Sequence, residues 1–139
     1  MINKIIAVLT FIVASNAYSN ETELTRLKAA ANPTENERGV KHCDLSTYNI
    51  VGGHAVYEDT IEDEAVVVDH GNSFSINVSI YNVDSPVLMY KADNAEGIVL
   101  ASRNQELIFE RERVIKDKTL EYRLINTLTK RIFVASDCE

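Results

Sequence analysis

The chain has 139 residues, about one domain's worth, and carries 14 lysines and arginines against 21 aspartates and glutamates, a formal charge of −7. A balance this acidic repels nucleic acid and anionic lipid, which argues against DNA, RNA or membrane-surface binding. There is no tryptophan, no low-complexity tract and no internal repeat, so a repeat array is not indicated.

Residues 1–17 read as a secretory signal peptide. One lysine, Lys4, precedes the apolar run Ile5 to Val13, and Ser15-Asn16-Ala17 has the small-x-small pattern that signal peptidase cuts. The run is shorter than the roughly 20 apolar residues of a spanning helix, so no membrane span is expected after cleavage. The mature chain should begin near Tyr18. Cleavage takes one lysine and no acid, leaving 13 basic and 21 acidic side chains, a charge of −8. Export to the periplasm or beyond is the expectation.

Residues 18–41 are polar and read as a short helix and linker. Asn20 and Glu23 suit an N-cap with its reciprocal acid, Leu24, Leu27 and Ala31 recur at helical spacing, and Asn32-Pro33 ends the run. From residue 42 to 139 the pattern is β. Leu45 to Val51 is a strand closed by Gly52-Gly53, and His54 to Tyr57 continues it past a bulge or starts a second short strand. Glu58 to Glu64 is too acidic for a sheet interior and is expected as an exposed loop or edge. Ala65 to Val68 is a buried β-branched strand. Ser73 to Tyr81 is the clearest strand of all: Phe74, Ile76, Val78 and Ile80 fall on one side, serines and Asn77 on the other. Further strands are expected at 87–92, 98–102, 106–114, 120–126 and 131–135, with Leu120, Tyr122 and Leu124 inward.

Strands at intervals of roughly 8–12 residues indicate an all-β sandwich or barrel. The alternation from Phe74 to Asn82, the run Pro86 to Tyr90 with its Asp93 to Gly97 turn, the stretch Lys118 to Leu124 and the terminal Ser136-Asp137-Cys138 resemble small immunoglobulin-like sandwiches of bacterial envelopes, of the adhesin or surface-subunit type. The resemblance spans about half the mature chain and transfers no catalytic or binding residue. It implies a sandwich of about seven to nine antiparallel strands. The alternative is an up-and-down barrel of lipocalin type, whose open interior would carry a small ligand.

Cys43 and Cys138 allow one pairing, and export makes a disulfide the expectation. A redox pair would need a short spacing such as C-x-x-C, which is absent. His42, His54 and His70 form no metal-ligand spacing, so no metal and no cofactor are expected. No G-x-S-x-G elbow is present, and no enzyme is expected.

Charge is the unusual feature. Between His42 and Tyr90 there is no lysine or arginine but eight acids, whereas Lys91 to Arg131 mixes nine bases with seven acids. Glu58, Asp59, Glu62, Asp63 and Glu64 are the candidate binding residues. They serve as a solubilising edge, a docking surface for a basic protein, or a calcium site, although the D-x-D-x-D-G register of a calcium loop is missing. The alternation of Glu110-Arg111-Glu112-Arg113 puts the two arginines on one strand face, as a strand leaving the core or as a contact surface. The function that follows is an exported, non-enzymatic interaction module with a protein or glycan partner. Its alternatives are an acidic inhibitor or immunity protein that blocks a basic enzyme such as a cell-wall hydrolase, and a carrier.

Overall fold

A computed structural model describes residues 31–139. The helix expected over 21–31, apart from its last residue, and the signal peptide expected at residues 1–17 lie outside these residues. A short 3-10 turn, Glu35–Glu37, leads into nine strands: β1 Gly39–Val51, β2 His54–Asp69, β3 Phe74–Val78, β4 Tyr81–Asp84, β5 Met89–Asp93, β6 Gly97–Asn104, β7 Leu107–Val114, β8 Leu120–Asn126 and β9 Arg131–Ser136. The expectation of an all-β fold is met.

All nine strands belong to one antiparallel sheet in the order β4-β3-β2-β1-β9-β8-β7-β6-β5. The two faced sheets and Greek-key connections of an immunoglobulin-like sandwich are not what these ladders show. The reason lies in the connections, none of which exceeds five residues. Links that short lay each strand beside its predecessor or turn a corner, and leave no chain for a long crossover. The strand order is an up-and-down meander whose first and last strands pair.

One connection also dictates the shape. β4 and β5 are the two outer edges of the ladder, yet only residues 85–88 separate them. At ~3.5 Å per residue that link cannot cross a flat sheet of nine strands, so the sheet curls until its edges approach. The curl encloses one face. Phe74 on β3 packs edge-on against Phe109 on β7 at 6.0 Å and Tyr122 on β8 at 5.1 Å, and Tyr81 on β4 packs against Phe133 on β9 at 5.4 Å. Cys43, Leu45, Ala65, Val67, Ile76, Val78, Leu100, Leu124 and Ala135 fill the same interior. Ala31, the last residue of the expected helix, is buried there too.

Two strand boundaries differ from the sequence reading for physical reasons. The clear alternating strand stops at Val78, because Ser79, with φ 53°, and Ile80 make a two-residue turn into β4. Ile80 is therefore 88% exposed rather than inward. Of the loop or edge expected for the acidic stretch, the structure shows an exposed edge. It belongs to β2, which runs sixteen residues and pairs with β1 on one side. Residues 54–64 are all exposed, so their charges stay solvated, and β1 pairs the backbone groups on its own side as far as Ile61.

The disulfide joins Cys43 on β1 to Cys138 just beyond β9, a sequence separation of 95. His42 and Glu139 exchange two backbone hydrogen bonds of 2.9 Å beside it. The bond thus locks the pairing of first and last strands. Unfolding the Cys43→Ala/Cys138→Ala variant in urea should show a stability loss of about 4–5 kcal/mol, the loop-closure value for a loop this long.

Candidate functional site

Three clusters of charge can be separated by burial. The innermost lies in the core. Arg111 on β7 and Asp69 at the end of β2 have no exposed side-chain surface and form an ion pair at 3.0 Å. Tyr122 Oη donates to Asp69 Oδ2 at 2.7 Å, and the Gly71 N–H donates to Oδ1 at 2.8 Å. Burial pushes the Arg111 pKa below its usual value and raises that of the Tyr122 phenol. Arg111 is therefore no contact surface, and neither is Arg113. Arg113 donates to both Glu37 oxygens at 2.7 and 2.8 Å and to the Asn32 carbonyl at 2.8 Å, holding the segment before β1 against the end of the curled sheet.

The second cluster is on the outer face. Arg123 on β8 reaches Glu110, Glu112 and Glu121 at 2.9, 2.7 and 2.7 Å, and Lys91 also pairs with Glu110. Burial opposes the charge of Glu110, but the hydrogen bonds from Lys91 and Arg123 outweigh it and lower its pKa. These carboxylates are matched by cations and have a structural role.

The third cluster is the candidate site. Between Cys43 and Leu45 the β1–β2 register slips: Cys43 faces Ala65, while Leu45 faces Ile61. Glu62, Asp63 and Glu64 thus bulge opposite Asp44 alone. Asp63 takes φ 60° there, and its N–H donates to Asp44 Oδ1 at 3.1 Å. A bulge of this kind re-aims side chains at a strand edge. Here it turns Glu62 and Asp63 toward the disulfide, where His42, Asp44, Asp137 and Glu139 complete the lining of an open cleft of about 630 Å³. None of these five carboxylates has an ion-pair partner among the described residues.

The five residues singled out by sequence are not gathered in one place. Glu62 and Asp63 line the cleft. Glu64 is exposed beside them but is not part of the lining. Asp59 accepts a hydrogen bond from the Thr60 N–H at 2.8 Å. Glu58 turns away to Arg131 at 2.6 Å, with Thr47 and Asn49 as further donors. The sequence reading missed His42, Asp44, Asp137 and Glu139, although they flank the two cysteines and the expected disulfide already implied their meeting.

Among the described residues, no group of three or more histidines, cysteines, aspartates and glutamates is arranged to hold a metal ion. No helix among them is long and apolar enough to cross a membrane. No family model, curated protein or solved structure matches the chain.

Two predictions follow from the first cluster and its neighbour. Arg111→Met leaves Asp69 buried without its cation and should cost about 3–5 kcal/mol in denaturant unfolding, with part recovered when Asp69→Leu is added. The Arg113 hydrogen bonds lower the Glu37 pKa from 4.5 to about 2. A lowered folded pKa stabilises above the unfolded value, and that contribution disappears as pH falls through the folded one. The melting temperature should therefore drop less steeply in Glu37→Gln than in the parent between pH 4.5 and about 2.

Proposed function

We propose that the protein is an exported, non-enzymatic interaction module that docks a basic partner on the acidic cleft. The single observation behind this reading is the convergence of Asp44, Glu62, Asp63, Asp137 and Glu139 around one open concavity without a neutralising cation among the described residues. Like charges held together raise the local negative potential, which steers a cationic surface inward and speeds encounter. The disulfide next to these residues in sequence supports export and joins the two acidic segments covalently. Inhibition of a basic cell-wall hydrolase is one case of this reading. The adhesin- or subunit-like reading rests on the hairpin resemblance. A carrier has little support, because Phe74, Phe109, Tyr122 and Leu124 occupy the enclosed space.

The test is kinetic. Glu62→Lys, Asp63→Lys, Asp137→Lys and Glu139→Lys are combined, and association with a basic cell-wall hydrolase is followed by stopped flow over a range of salt. The on-rate should fall by about tenfold or more and lose its salt dependence. An on-rate that is equal in parent and variant rejects the proposal.

A further inference from the structure

β2 is longer than the strand beside it. β3 pairs with Val66 to Asp69 only, so on that side residues 54–64 have no neighbouring strand among the described residues. On the other side β1 holds them in register from Val51–His54 to Leu45–Ile61, with one extra residue at Glu58. Alternate residues of a strand send their N–H and C=O groups to opposite sides, so about half of this backbone points outward unpaired. The stretch His54 to Ile61 is a preformed edge, and the bulge at Glu62 to Glu64 ends it.

The side chains on this edge select an occupant. Val56, Tyr57 and Ile61 are 49%, 57% and 47% exposed, which offers apolar contact on both faces of the strand. The acids Asp59, Glu62 and Asp63 have no ion-pair partner among the described residues, and β2 contains no lysine or arginine. A second copy of the chain laid antiparallel on this edge would bring together two acidic strands with no lysine or arginine on either, and nearby like charges across strands are destabilising. A strand bearing lysine or arginine meets the same acids favourably.

We propose that the edge from His54 to Ile61 accepts an extended, basic segment of a partner protein as an added strand, with backbone hydrogen bonds holding the segment and the acids choosing it. This inference rests on the proposed acidic docking function and specifies how a partner would engage it. The pairing extends the sheet beyond β3 on the side away from β1, and carries the partner's chain toward the cleft at the bulge.

The experiment uses the mature, disulfide-bonded chain and labelled peptides of about eight residues, a typical strand length, in which lysine alternates with valine or threonine. Two further peptides carry N-methyl groups on one or the other set of alternate backbone nitrogens. Binding is read by fluorescence anisotropy, and amide exchange is followed at residues 54–61. The expected result is binding of the parent peptide with slowed exchange across the edge, and a loss of about tenfold or more in affinity for only one of the two methylated peptides, because an added strand directs only one set of N–H groups at β2. If both methylated peptides bind as the parent does and exchange is unchanged, strand addition is overturned while the acidic docking surface stands. If no peptide binds but the basic hydrolase still associates in a charge-dependent way, the outcome is the same. Protection of residues 54–61 by concentration-dependent dimerisation without peptide assigns the edge to a second copy and overturns the proposal. Failure of every basic probe, hydrolase included, removes the docking function itself.

Discussion

The contact on which the rest of the molecule depends is the meeting of Asp69 and Arg111 inside the curled sheet. The two residues are separated by 42 positions in sequence and by the width of β1, β9 and β8 in the ladder. They touch only because the sheet closes over its own face. A buried ion pair is weak support for net stability, since desolvation offsets most of the attraction. Its stronger effect is selective. Any register or curvature that separates the partners strands two charges without water, so the Asp69 carboxylate, with Tyr122 and the Gly71 N–H also on it, favours one curl over its neighbours.

The same end of the sheet is tied down twice more. Arg113 grips Glu37 and the Asn32 carbonyl, fixing the segment before β1, and Ala31 is buried in the core beyond it. The disulfide then links β1 to the residues after β9. These constraints together make the β1–β9 pairing the closure of the meander, whereas the β4 and β5 edges are joined only by a short link. The opposite end of β1 and β2 is tied by the Arg131–Glu58 ion pair and by the Ile50 N–H donating to the Lys130 carbonyl. It extends as an exposed hairpin, closed by Gly52 and Gly53 with φ of 59° and 81°, the left-handed geometry of a two-residue turn.

Charge follows from this arrangement. The first half of the fold has no lysine or arginine between His42 and Tyr90, so its acids must be neutralised by residues outside that span. Among the described residues that happens at two places: Arg111 reaches Asp69 in the core, and Arg131 reaches Glu58 near the hairpin. Of the other cations of the second half, Arg113 pairs with Glu37 before β1, while Lys91 and Arg123 pair with glutamates of their own half. Apart from Asp84 on β4, the acids of this span left unmatched lie along the outer part of β2 and in the cleft near the disulfide. The acidic surface is thus the remainder after folding has taken the cations it needs, and its potential is available to a partner.

Much of the fold was legible in the chain. Period-two alternation placed Phe74, Ile76, Val78, Leu120, Tyr122 and Leu124 inside, and glycine or polar pairs marked most turns, because side-chain direction in a strand is a local property. The resemblance to a sandwich failed to indicate the sheet order, since alternation says which face is dry and nothing about which strand lies beside which. Ile80 and the acidic run show the limit at single residues. A turn of two residues can hide inside an unbroken alternation, and charges can sit in a strand when its neighbour lies on one side only.

The amino-acid order alone determined a β-rich chain with one possible disulfide and a cation-free acidic half. Tertiary structure decided which acids are neutralised, which line the cleft, and which part of β2 keeps a free edge. The reason is distance: composition sets how many charges exist, but Coulomb attraction and desolvation depend on the few ångströms that only the curl of the sheet establishes.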